Sequence, residues 1–395
     1  MTNLTEFRNN VAQIAEIDEI ILDPVKADGI WVYTSDGKRY MDLLSGICVG
    51  NVGHRNPDVV EAIKKQCGDY LHVMVYGEYM QKPQLDYIKR LKEFLPKDLE
   101  QIFYVNSGSE AIEGAIKTAK LYNKRKQIIT YKNSYHGSTL GCVSMISDKK
   151  YNECFQPLIP MIEHIEFNNE DDLMKITEQT SCVVAETIAV GEGVELPRGA
   201  YLKKLRDRCS QVGAVLILDE IQTGFGRSGK LFAFEHYGIT PDILCIAKAM
   251  GGGLPIGAFI GRKDIMNALN NHHPLIGHAT TYGGNPVCLA SALATLNFIV
   301  TNGLTENAQK MGLIYRSKLR HRNIKEVRGE GLFNCIELRE GVSWQEALKS
   351  CFRHGLITGT HLFNPMCLSI KPPLIITEEE VCDSIERLLA ALDEL

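Results

Sequence analysis

Two short runs of this chain end in groups that could do chemistry together. Residues 213–219 are small or apolar up to the acid Asp219, and residues 243–247 are apolar up to the amine Lys248. Both runs are rich in Ile, Leu and Val and are preceded by Gly or Pro-Asp, so they read as buried strands. A carboxylate and an amine closing adjacent buried strands would stand at the carboxyl edge of a sheet, where α/β proteins place ligands. Neither charge is cheap to bury without a partner. Taken singly, Lys248 reads as a solvated loop lysine and Asp219 as the cap of a following helix. With Gln222 one turn beyond Asp219, and Gly251, Gly252 and Gly253 just after Lys248, the set reads as a site.

Pyridoxal phosphate is a cofactor that needs both groups. Its aldehyde condenses with a lysine amine, and its ring nitrogen needs an acid partner to act as an electron sink. Upstream, residues 101–105 read as a strand, followed by Asn106, Ser107, Gly108 and Ser109, and then a helix to about residue 122. Free N–H groups at such a helix start form an anion site. An ordinary N-cap would explain Ser107 or Ser109 equally well. The acid and amine downstream favour a phosphate cup.

The stretch from Leu218 through Gly229, then Pro241, Asp242, Lys248 and the three glycines, resembles the signature of class III aminotransferases. These are pyridoxal-phosphate enzymes of fold type I, and the ornithine and acetylornithine aminotransferases are the most similar by overall pattern. The resemblance runs from about residue 24 to about residue 385. It implies that Lys248 is the Schiff-base lysine, that Asp219 pairs with the pyridinium nitrogen and that Gln222 lies near the ring hydroxyl. It also implies Ser107, Gly108 and Ser109 as phosphate ligands and Tyr135, in the Tyr135-His136-Gly137 motif, as the ring stacked on the cofactor. Thr281 would reach the phosphate of a neighbouring subunit, which implies a homodimer with composite active sites. His136 is read as a structural neighbour.

The elements that must position these residues alternate strand and helix: strands at 126–131, 161–167 and 181–186, and a helix at 199–212. That implies a mostly parallel sheet covered on both faces. The family fold adds its detail: a seven-stranded sheet in a large domain, here residues 51–300, and a small α+β domain, residues 301–395. Residues 1–50 would pack with the small domain. They contain a hairpin around Ser35, Asp36 and Gly37, where Asp-Gly would supply positive φ. A helix is expected over 57–69.

The substrate side departs from the family pattern. A carboxylate-binding arginine usually follows the motif at 135–137; this chain has Ser138. The family's acidic run aligns with 186–191, keeping its first acid as Glu186 and replacing the second, a gate for the substrate arginine, by Gly191. A shifted alignment recruits Glu192. The arginine that clamps the α-carboxylate in many members falls at Ser369, with Lys371 close by; Arg328 is a further cation that could receive a carboxylate. Arginine suits those places because its fork meets a carboxylate with two parallel bonds. Some amine:pyruvate-type members also carry Ser after the Tyr-His-Gly motif.

Composition sets the remaining bounds. A net charge of −5 leaves no electrostatic footprint for nucleic acid or an anionic membrane. The 12 cysteines are scattered without C-x-x-C spacing, which argues against a metal site and for a reducing compartment. The first residues lack an apolar signal core, and 243–261 is too broken by Lys248 and glycines to span a bilayer, so a cytoplasmic protein is expected. The expected function is a ping-pong transfer of an amino group from an amine or (ω-)amino acid to a 2-oxo acid. Acetylornithine or ornithine with 2-oxoglutarate is the alternative. An aminomutase or racemase, or a non-catalytic cofactor-binding protein, completes the set.

Overall fold

The structure, a computed structural model, describes residues 3–12, 21–270 and 278–395. After a helix over Asn3–Asn10, the first strands are β1 (Pro24–Asp28), β2 (Trp31–Thr34) and β3 (Arg39–Asp42), an antiparallel series. In the expected hairpin turn only Gly37 takes positive φ, 81°. Asp36 instead accepts from Thr34 Oγ1 and from the Lys38 N–H, so its side chain closes the turn while its backbone stays in an ordinary region. β1 and the helix Lys82–Leu91, with Pro83 in its first turn, were not expected from the pattern.

The large sheet takes β4 (Gln101–Val105), β5 (Gln127–Tyr131), β6 (Ile162–Ile165), β7 (Thr180–Glu186), β8 (Val215–Asp219), β9 (Ile243–Ile246) and β10 (Gly257–Gly261). Their order is β4-β10-β9-β8-β7-β5-β6. Only β10 runs against its neighbours, as the resemblance to a mostly parallel fold implies. Every residue of β7, β8, β9 and β10 is buried. Alternate residues fill two separate cores: Val183, Leu216, Leu218 and Leu244 on one face, Cys182, Val184, Ile217 and Cys245 on the other. Helix Gly108–Asn123 covers the second face through Ala111, Ile112 and Ala115. Helices Tyr201–Val212 and Pro286–Thr301 cover the first through Leu202, Leu205, Leu289 and Leu296. Continuous apolar strands are what two covered faces demand.

The last quarter supplies β11 (Ile324–Glu330), β12 (Phe333–Leu338), β13 (Leu356–Ile357) and β14 (Cys367–Ile370). β11, β12 and β14 form their own sheet. β13 pairs in parallel with β3, and Tyr40 stacks on Phe352 at 4.7 Å, so the first and last parts of the chain share a sheet. All twelve cysteines are free. Among the described residues no single helix is long and apolar enough to cross a membrane.

Candidate active site

Strand register brings three ionisable side chains to one edge. Asp219 ends β8 and lies opposite Glu186, the last residue of β7. Lys248 stands two residues past β9, with φ 49°, a left-handed conformation uncommon for a residue with a side chain. These three line a cavity of about 410 Å³ together with Ser107, Gly108, Ser109, Tyr135, His136 and Gln222. Its far wall is Val49, Ile188 and Val190.

Asp219 is held on both oxygens. Its Oδ1 accepts the Ile221 N–H at 3.0 Å, and its Oδ2 accepts His136 Nδ1–H at 2.7 Å. The other imidazole nitrogen meets Thr130 Oγ1 at 3.1 Å. Burial would push this imidazole down, but the hydrogen bond and charge of Asp219, with Glu186 beyond, hold it above the ordinary histidine value. His136 therefore orients Asp219, a role the sequence reading left unassigned. Burial pushes the Glu186 carboxyl up to about 7, against the pull of His136. Glu220, next to Asp219, is spent on structure: it accepts Thr187 Oγ1, Thr223 Oγ1 and the N–H groups of Ala233 and Phe234.

Burial lowers the Lys248 amine, and nearby Cys48, Asp219 and Glu186 oppose that effect. Its Nζ has no ion pair or hydrogen bond among the described residues. Gln222 Oε1 is buried without a donor. Across the cavity, helix Gly108–Asn123 starts at Ser107, whose Oγ caps the Glu110 N–H at 3.2 Å. The first N–H groups of a helix have no partner within it. Gly108 packs so closely there that an added Cβ would stand 2.8 Å from Ile221. An amine without a partner, an acid with a fixed orientation, an orphan acceptor and a helix start are the groups pyridoxal phosphate requires.

Other expected residues lie elsewhere. Ser138 is outside the cavity lining, but its Oγ meets the Tyr135 hydroxyl at 2.6 Å and so fixes that ring, 38% exposed beside the cavity. Thr281 is exposed and outside the cavity lining, whereas Thr280 Oγ1 accepts the Asn106 Nδ2–H at 2.6 Å. Ser369 is buried in β14 with its Oγ on His361 Nε2 at 3.1 Å. Lys371 is buried behind the far wall. Arg328 is committed to Glu337, to Val194 O at 3.1 Å and to Glu326 at 3.2 Å, outside the cavity lining. Glu192 is exposed and bonds Asn133 Nδ2 at 2.6 Å. Gly191 has no room for a side chain: an added Cβ would stand 1.6 Å from Asn133 O and 2.7 Å from the Phe363 ring.

One feature of the far wall leaves no trace in the sequence. Ser45, Gly46, Ile47 and Cys48 all have φ between 53° and 62°, a left-handed turn that includes a β-branched residue. Asp42 Oδ1 holds it by accepting the N–H groups of Leu44 and Ser45 at 2.9 and 2.7 Å. The turn presents Cys48 and Val49 toward Lys248.

The chain matches the family model for class III aminotransferases over residues 13–392. It is 36% identical, over 387 residues and 94% of each chain, to the acetylornithine aminotransferase of Caldanaerobacter subterraneus subsp. tengcongensis. Its fold matches the ornithine aminotransferase of Toxoplasma gondii with TM-score 0.91 and 27% identity, covering 99% of this chain and 94% of that one. It also matches an (S)-enantioselective omega-transaminase from Thermomicrobium roseum with TM-score 0.88 and 27% identity, covering 100% and 95%. With the cofactor-binding set assembled at one sheet edge, the chain belongs to the class III aminotransferases, enzymes that work with pyridoxal phosphate.

Proposed function

We propose that this aminotransferase takes its amino group from an amine or an amino acid, ω-amino acids included, and delivers it to a 2-oxo acid by a ping-pong route through one cavity. The carrying observation is the juxtaposition of the uncommitted Lys248 amine, the Asp219–His136 pair and the orphan Gln222 Oε1. Bound pyridoxal phosphate supplies an electron sink for the charge left when a proton leaves the substrate carbon. Lys248 would hold the cofactor and, as a free amine, would move the proton at the substrate carbon as base and acid. Burial lowers its amine, which favours the neutral form that a base requires. Asp219, oriented by His136, would hold a proton at the ring nitrogen, and Gln222 Oε1 would accept the ring hydroxyl. Ser107, Gly108 and Ser109 would bind the phosphate, and Tyr135 would cover the ring.

An acetylornithine- or ornithine-type donor with 2-oxoglutarate is the second reading, supported by the relatives' names. Against it stand Ser138 and Ser369 at the places of the family's arginines, and among the described residues no guanidinium lines the cavity. The test is to add amines singly to the cofactor-loaded protein without any 2-oxo acid. Loss of the visible-edge absorbance with gain of the pyridoxamine band identifies the donor. A spectrum unmoved by ornithine, acetylornithine, 4-aminobutyrate, glutamate and simple amines would overturn this donor class.

The same proposal includes a homodimer with composite sites, in which Thr281 reaches the partner's phosphate. Its support is a run of exposed apolar side chains, Leu71, Met74, Tyr76, Tyr79 and Met80, whose first residues meet the segment after Thr281 through the His72–Tyr282 ring contact and the Asn285–Leu71 bond. It also divides the chain into residues 1–50 with 301–395, supported by the β3–β13 pairing, and residues 51–300. Twelve free thiols support a cytoplasmic setting.

A further inference from the structure

Lys371 is a buried cation that the cofactor chemistry does not use. It follows β14, with its N–H on Leu43 O at 2.7 Å and its carbonyl accepting Ser45 Oγ–H at 2.6 Å. Only 3% of its surface is exposed. Its Nζ lies 4.6 Å from the centroid of the Phe333 ring and, among the described residues, makes no ion pair or hydrogen bond. Phe333 packs in one cluster with Cys48, Ile188 and Val190, and the last two form the far wall of the cavity. Beyond burial, Lys248 pushes the Lys371 amine down, and Cys48 opposes the lowering of both amines. Through Phe333 the ammonium adjoins the cluster whose Ile188 and Val190 face the cavity, just outside the cavity lining itself.

The other cations on this side are committed. Arg227 donates to Leu332 O, Pro372 O and Asn51 Oδ1, and Arg328 to Glu337 and Val194 O. His361 Nδ1–H donates to Val190 O at 2.7 Å, and its Nε2 meets Ser369 Oγ at 3.1 Å. Burial, with Lys371 beside it, keeps its pKa well below the ordinary value. An ammonium buried without an anion is costly, and an incoming carboxylate would remove that cost.

We propose that Lys371 sets specificity by anchoring the carboxylate of the 2-oxo acid, and of an amino-acid donor, in place of a guanidinium at position 369. The proposal rests on the transaminase reading above. An ammonium on a flexible four-carbon stem is a point charge without the fork of arginine, so it holds a carboxylate without imposing one planar approach. An amine donor that carries no carboxylate needs no such anchor.

The test compares wild-type holoenzyme with Lys371→Met, of similar length and apolar, and with Lys371→Arg. Calorimetric titration with glutarate, a dicarboxylate with no amine to transfer, reads binding without turnover. The Met variant is expected to bind it about tenfold or more weakly, and the Arg variant within about threefold of wild type. Burial, with Lys248 and Arg227, pushes the Lys371 amine down to about 8 while Cys48 and Cys335 oppose. Wild-type glutarate affinity should therefore fall as pH rises through about 8 and the ammonium loses its proton, and the Arg variant should stay flat. In single half-reactions the Met variant should lose affinity for amino-acid donors but react with a primary amine that carries no carboxylate as wild type does. Glutarate binding unchanged by Lys371→Met, or equal losses with both donor kinds, would overturn the proposal. If wild-type enzyme converts no donor at all, the transaminase reading falls, and the glutarate titration still decides the anchor.

Discussion

The cofactor half and the substrate half of this cavity are built from different kinds of chain. Asp219, Glu186 and Lys248 hang from the ends of buried parallel strands, and Ser107–Ser109 start a long helix, so register and helix geometry aim them. The far wall is made of loops: Val49 follows the left-handed turn at 45–48, and Ile188 and Val190 belong to the stretch after β7, with the segment after β13 packed against it through His361. Those loops are held by a few local bonds, such as those of the Leu44 and Ser45 N–H groups to Asp42 and of His361 to Val190 O. The scaffolded half carries the residues that the resemblance implies for the cofactor, while Gly191 in the loop half stands where the resemblance implies a gate acid. A sheet edge tolerates few changes, because each side chain depends on a whole core. A loop is re-specified by changing a few bonds.

Three substitutions separate the halves, in descending order of effect. Lys248→Ala removes the only uncommitted amine in the lining among the described residues and should abolish both turnover and the cofactor's visible-edge absorbance; a variant keeping both would undo the assignment of the cofactor half. His136→Phe fills similar space but takes the donor from Asp219 Oδ2. It should lower kcat on the order of tenfold to a hundredfold with KM little changed, as expected when a buried charged hydrogen bond is lost. An unchanged kcat would mean that the Ile221 N–H orients Asp219 unaided. Gly191→Glu restores the family's acid where an added Cβ would stand 1.6 Å from a backbone oxygen. Thermal melting should show a loss of about 1–3 kcal/mol from overpacking, with the cofactor absorbance intact. A variant as stable as wild type would show that the loop can move to accept a side chain.

Much of the large sheet was legible. The apolar runs ending at Asp219 and Glu186 carry their own period and length, and helix Pro57–Asp69 announces itself through Asn56 and Pro57. The pairing of β13 with β3 was legible only through the family's architecture, because two-residue β13 has no pattern of its own. His136 and Asp219 are 83 positions apart, so nothing local signals their contact. The expected place of Thr281 followed the family motif, whereas the contact formed within this chain is made by Thr280.

By itself the sequence determined the elements and the identity of the reactive groups, because strand and helix periods and the pKa-bearing side chains are local properties of the chain. Tertiary structure alone decided that His136 orients Asp219, that Gly191 cannot hold a gate residue and that Lys371 lies unpaired behind the far wall. Those outcomes depend on which distant segments pack against one another, and that choice is made by the burial of the whole core.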